Sequence, residues 1–278
     1  MALVLSGREQ STDRLNRQAE LDAFLQTPEG TLECKKKNDA GWTALMLAAR
    51  NSRTDSTEGT VAQLLAHESG SEVARMREEG GWTTLMVAAC NSRADSTEET
   101  VAQLLAHESG SEVARMKENN GCTALMFAAS NSGTTSTEGT VAQLLAHESG
   151  SDVARMQAED GCTALMLAAR KSGTDSTERT VAQLLAHESG SCVVSLLSHS
   201  GESTLENAVY NGACTPTMLH ALCIHASTQE IQRLFKKYPG KFDAYFIHLY
   251  ERVRERDTTS RALKEGIQVA GSIVLTYL

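Results

Sequence analysis

His67, His107, His147 and His187 recur at intervals of 40 residues, and Cys122 and Cys162 share one position of the same period. Imidazoles and thiolates are common zinc ligands, but all ligands of one ion must lie about 2.0–2.3 Å from it. The period argues against that chemistry. Units stacked at helix-packing distance place equivalent side chains about 10 Å apart, too far to share an ion and too far for a disulfide between the two thiols. The histidines therefore read as solvated helix-end residues and the cysteines as small buried thiols, with no metal and no cofactor expected. The serines and acids of "TDSTEGT" (54–60) are of the types that serve as nucleophiles or phosphoacceptors, yet loop and cap roles account for them. Phosphorylation there stays open. No phosphate-cradling glycine loop, G-x-S-x-G or C-x-x-C is present. The chain reads as a non-enzyme, and any catalytic site would have to lie in the divergent residues 201–278.

The elements that position these residues come from one unit copied four times. "TVAQLLAHESGS" stands unchanged at 60–71, 100–111, 140–151 and 180–191. In the unit 41–80, Gly41 can turn the chain with positive φ and Thr43 can cap a helix over about 43–50. Its Leu45, Ala48 and Ala49 form a narrow apolar stripe, and the alanines allow close approach of a neighbouring helix. After a polar stretch, Asp55 and Glu58 make an N-cap signature, with Asp95, Thr135 and Asp175 at the equivalent cap positions. A second helix over about 56–67 turns Val61, Leu64 and Leu65 inward, and Gly70 is suited to a left-handed C-cap. Val73 and Met76 lead back through an extended or turn segment. Helices this short gain little in water alone, so the copies must stack into a solenoid.

The ends differ from the middle. Residues 21–41 align without a gap on 61–81, matching Leu21, Phe24, Leu25 and Gly30 to Val61, Leu64, Leu65 and Gly70. This reads as an N-terminal half-repeat covering one end, residues 1–40. Residues 41–200 hold the four near-identical units. Residues 201–240 hold a divergent fifth unit that keeps Leu205 and Ala208 but has Glu206 for methionine, with a second helix restarted at Thr215-Pro216 and a further one capped by Ser227 and Glu230. In 241–278 the spacing of Phe242, Tyr245, Phe246, Leu249, Tyr250 and Val253 predicts a helix with one apolar face, followed by another over about 260–275. That face either caps the array or receives a partner helix.

Gly41–Ala49, Gly81–Ala89, Gly121–Ala129 and Gly161–Ala169 follow G-x-T-A/T-L-M-x-A-A and lead to V-x-x-L-L. This pattern resembles the ankyrin repeat. The family's T-P-L-H is here T-A-L-M, similar to the variant in large protist ankyrin-repeat families, so apolar packing of Met46, Met86, Met126 and Met166 is expected to replace a polar link made by histidine. The period of 40 exceeds the family's roughly 33 residues, mainly through a longer loop between the two helices. The resemblance implies an all-α, ankyrin-type helix-turn-helix solenoid with a helical C-terminal cap, whose concave face binds other proteins. The four copies differ from one another mainly at positions that match the family's contact positions: Trp42, Trp82, Cys122 and Cys162; Arg50, Cys90, Ser130 and Arg170; and the tips Glu79, Asn119, Asn120, Glu159 and Asp160. Contact and unconstrained drift both account for that variation, and the two tryptophans favour contact.

The net charge of −9 weighs against nucleic acid as a partner, and the acid is concentrated in residues 1–200. No stretch is long enough for a membrane helix. Seven cysteines, an odd number, and a start without a secretion-type apolar region point to a reduced, cytoplasmic setting, with cytoskeletal association compatible. The expected function is a monomeric scaffold or adaptor for protein partners. The alternative is a structural spacer that works by self-association.

Overall fold

The computed structural model describes residues 11–211, 215–238 and 240–242. Each 40-residue unit contains three helices. The first has α3 (Ala44–Arg50), α4 (Glu58–Ala66) and α5 (Gly70–Arg75). The next three repeat the scheme as α6 (Thr84–Asn91), α7 (Glu98–Ala106) and α8 (Gly110–Arg115), then α9 (Ala124–Asn131), α10 (Glu138–Ala146) and α11 (Gly150–Arg155), then α12 (Ala164–Lys171), α13 (Glu178–Ala186) and α14 (Gly190–Val194). Before them stand α1 (Ser11–Leu25) and α2 (Pro28–Lys35); after them α15 (Thr204–Asn211), α16 (Pro216–His225) and α17 (Thr228–Lys237).

Every inner helix starts the same way. Gly41, Gly81, Gly121 and Gly161 have φ of 77°, 86°, 80° and 80°, which a side chain would strain. The next threonine but one caps the helix, as where Met46 N donates to Thr43 Oγ1 at 3.3 Å. The inner helices then stack in order, α3 on α6, α6 on α9, α9 on α12 and α12 on α15. Leu45, Met46 and Ala49 are fully buried, as are their equivalents in the second and third units. Met86 and Met126 belong to the hydrophobic core cluster, and Met46 and Met166 are likewise fully buried.

A buried row of hydroxyls joins this packing. Thr100, Thr140 and Thr180 donate through Oγ1 to Ser52, Ser92 and Ser132 Oγ of the preceding unit at 2.7, 2.6 and 2.7 Å. Ser136 and Ser176 donate back to the carbonyls of Ala89 and Ala129 at 2.6 and 2.7 Å. The long loop adds main-chain links, from Arg53 N to Asp95 O and from Arg93 N to Thr135 O at 3.0 Å each. The residues that lengthen the period thus fasten each unit to the next. Ser56, Ser96, Ser136 and Ser176 lie under this loop, 0–6 % exposed, so four of its hydroxyls are closed to a modifying enzyme.

Several local expectations need correction. The cap of the second helix is Thr57, not Asp55: Thr60 N donates to Thr57 Oγ1 at 3.2 Å, and Thr97, Thr137 and Thr177 repeat this. The helix is correspondingly shorter, Glu58–Ala66 rather than 56–67. Gly70 does not close α4 in a left-handed conformation. It opens α5 and packs against the preceding turn, where a Cβ would stand 2.0 Å from Leu65 O. The segment through Val73 is therefore a short helix, and His67 links the two: Ser69 N donates to His67 Nδ1 at 3.1 Å. The same bond occurs at His107, His147 and His187, half-buried side chains that are fixed by this bond and not simply solvated.

On the side of α5, cations of one unit pair with acids of the next: Lys35 with Glu72 at 2.5 Å, Arg75 with Glu112 at 2.5 Å, and Arg115 with Asp152 at 2.8 Å. At the fourth such position stands Cys192.

At the N-terminal end α1 and α2 replace a full unit, and Gly30 again packs close, its Cβ direction meeting Phe24 O at 2.1 Å. At the other end Thr215 caps α16 with Pro216 at its first turn, and Ser227 accepts from Glu230 N at 3.1 Å to open α17. The aromatic helix expected from residue 242 and the one expected over 260–275 lie outside the described residues, except Phe242, which is fully buried.

Candidate protein-interaction face

The turn before each inner helix folds tightly on itself. Glu78 N donates to Trp82 O at 3.0 Å and Gly81 N to Glu78 O at 3.0 Å, with the same pair of bonds at 118–122 and 158–162. Successive turns are also tied main chain to main chain: Asn119 N to Gly80 O at 3.0 Å, Glu159 N to Asn120 O at 2.9 Å, and His199 N to Asp160 O at 2.9 Å. The tips form one ridge, so side chains on it hold fixed spacings.

Trp42 is half-buried, and the exposed Arg50 guanidinium stands 5.5 Å from its ring centroid. Trp82 stacks on Phe127 of the next unit, ring centroids 4.1 Å apart and planes at 27°. Phe127 is not among the positions singled out above, although the four copies differ there as Leu47, Val87, Phe127 and Leu167. The stack joins the tip of one unit to the inner helix of the next, placing tip and inner helix on one face.

The remaining candidates divide. Glu79, Asn119, Asn120, Glu159 and Asp160 are exposed on the ridge. Asn119 Nδ2 donates to Glu79 O at 3.0 Å, and Asp160 Oδ1 accepts from Cys162 N at 2.9 Å. Cys90 and Cys122 are half-buried, and Arg170 lies close enough to Cys122 and Cys162 for its charge to act on both. Ser130 and Cys162 are buried, 6 % and 3 % exposed, and lie beneath the face instead of on it. Ser130 Oγ is turned to Phe127 O at 3.2 Å.

These thiols are not poised for chemistry. Burial, then the Glu118 carboxylate, pushes Cys122 up to about 11; burial, then the hydrogen bond with Asp160, pushes Cys162 up to about 12. Both are protonated near neutral pH, where a nucleophile or metal ligand needs the thiolate. No group of three or more His, Cys, Asp or Glu side chains among the described residues is placed to hold a metal ion.

One ionic site escaped the sequence. Glu206, at the position held by methionine in the four copies, is 1 % exposed. Arg233 Nη2 and Lys237 Nζ of α17 each donate to its carboxylate at 2.6 Å, and Tyr238 OH at 3.4 Å. Burial works against the charge, but the hydrogen bonds from Lys237 and Arg233 outweigh it and hold the carboxyl below its ordinary value of 4.5. The methionine-to-glutamate change was legible; its partners, about 30 residues away, were not.

No helix of the described residues is long and apolar enough to cross a membrane. No curated protein matches the chain. A family model for ankyrin repeats in sets of three copies matches residues 21–113, 56–155 and 94–193. Those spans run over most of the chain and coincide with the stacked units and ridge of turns described above, so the chain belongs to the ankyrin-repeat family.

Proposed function

We propose that this chain is a non-catalytic scaffold or adaptor whose concave face, the ridge of turns and the adjoining inner helices, binds protein partners. Ankyrin repeats generally mediate protein–protein interactions and are typically non-catalytic modules. The observation that carries the reading is the Trp82–Phe127 stack, a rigid aromatic platform on a ridge whose units are otherwise nearly identical. Large aromatic side chains are frequent anchors of interfaces, and rigid ones lose little entropy on binding. The protonated thiols fit a face that recognises rather than reacts. A reducing, cytoplasmic setting suits the six free cysteines among the described residues.

Trp42→Ala combined with Trp82→Ala is expected to strip most partners from the chain in affinity purification from its native cells, with the helical circular dichroism retained. An unchanged partner set with the fold intact would remove the basis of this proposal.

A further inference from the structure

Resting on that reading of the concave face, the charges of the ridge specify its partner: we infer that the face takes an extended polypeptide segment in which lysine or arginine accompanies an apolar anchor residue. The five turn segments 38–42, 78–82, 118–122, 158–162 and 198–202 contain seven carboxylates and no lysine or arginine. Three of the seven accept a hydrogen bond within their own turn: Glu78 Oε1 from Trp82 N and the buried Glu118 Oε1 from Cys122 N, each at 3.0 Å, and Asp160 Oδ1 from Cys162 N at 2.9 Å. Asp39, Glu79, Glu159 and Asp160 are exposed, and none of the four is in an ion pair among the described residues.

The other side of the array shows that this is not a general property of its acids. Glu72, Glu112 and Asp152 on the short helices are each paired with a cation of the preceding unit. The chain pairs acids between units there, whereas Asp39, Glu79, Glu159 and Asp160 on the tips are in no ion pair among the described residues. Unpaired like charges in a fixed row repel one another, and a cationic segment lying along the row relieves that repulsion. An anionic partner, including nucleic acid or an acidic membrane surface, meets the opposite sign.

The apolar anchor follows from the Trp82–Phe127 platform, with half-buried Leu47 and Leu167 on the inner helices to either side. Spacing sets the order of residues in the ligand. Neighbouring units are about 10 Å apart, and an extended chain advances about 3.3 Å per residue. The tip bearing Glu159 and Asp160 is one to two units beyond the platform. A cation roughly three to six residues from the anchor therefore reaches those carboxylates when the anchor sits on the platform. Shape supplies the anchor and charge supplies the register.

The test is selection of random 12-residue displayed peptides on the full chain, followed by fluorescence-polarisation titration of the winners. The expected winners carry an aromatic or aliphatic residue with lysine or arginine at that spacing. Their binding weakens about tenfold or more when Glu79→Lys and Glu159→Lys are combined, and again on raising salt. Neither exposed side chain has an ion pair among the described residues, so the double variant is expected to keep its circular dichroism. Binding should also be lost in Trp82→Ala. Winners that need Trp82 but show no cationic preference and ignore the charge reversal would overturn this inference and leave the concave-face reading standing. Winners indifferent to both Trp82 and the carboxylates would sink both.

Discussion

A row of buried hydroxyl groups links each unit of the array to the next. Ser132 Oγ accepts from Thr180 Oγ1 at 2.7 Å and lies 3.3 Å from Ser176 Oγ, and all three residues are nearly or fully buried. A buried donor that loses its acceptor carries a desolvation penalty of about 1–3 kcal/mol, whereas removing both partners together can be nearly neutral. Ser132→Ala is therefore expected to destabilise the chain by about that amount, and Ser132→Ala with Thr180→Val by less than the sum of the single changes. Urea denaturation of the four species measures the coupling. Equal additivity would show that the row is filler. The serines and threonines were visible in the sequence as loop residues, but a loop pattern does not say which hydroxyls point inward. Their pairing at separations of 44–48 residues is decided by stacking, which no local signal reports.

At the scale of helices the copied unit was legible where its signals are long or unique. The threonine cap and alanine stripe of the inner helix allow one reading, and the helix stands at Ala44–Arg50 as its sequence requires. The second helix is preceded by "TDSTE", in which several oxygens compete as caps, and spacing alone favoured Asp55 because Glu58 stands three residues on. Thr57 wins because the loop folds Ser56 beneath it and ties Arg53 to the next unit, leaving Thr57 extended at the helix mouth. The six-residue α5 is too short to display a period of 3.6, and its leading glycine carries two meanings, positive φ or close approach. Here the close approach to Leu65 O decides. The cap assignment is open to direct comparison: Thr97→Ala is expected to lower stability by about 1 kcal/mol, and Asp95→Ala by much less, because only the backbone carbonyl of Asp95 bonds to Arg53. Thermal melts of the two variants distinguish them, and a larger loss for Asp95→Ala would reverse the assignment.

Taken whole, the helices before and after the four copies pack against them by different means. At the N-terminus α1 and α2 cover the first unit with Leu25, Cys34 and close-packed Gly30. At the far end an apolar methionine would call for another unit; Glu206 instead calls for cations, and α17 brings Arg233 and Lys237 to it. Charge thus joins α17 to the fifth unit. The carboxylate is buried, but both cations are half exposed, so solvent screening limits the gain and Glu206→Gln should lower stability by only about 1–3 kcal/mol. Its pH dependence follows from the sign of the shift. The folded carboxyl is held below 4.5, so folding favours the ionised form; that contribution is complete above the ordinary value and is lost as pH falls through the lowered one. Near neutral pH the amides of Ile231 to Lys237 should exchange slowly with deuterium. Below about pH 4.5 their protection, corrected for the intrinsic pH dependence of exchange, should fall further than that of Leu125 to Ala129 in the middle of the stack. Glu206→Gln should remove most of this difference between end and middle by weakening α17 at every pH. If protection of α17 in the variant still falls with acid as in the parent, another group holds α17 in place, and the Glu206 latch does not.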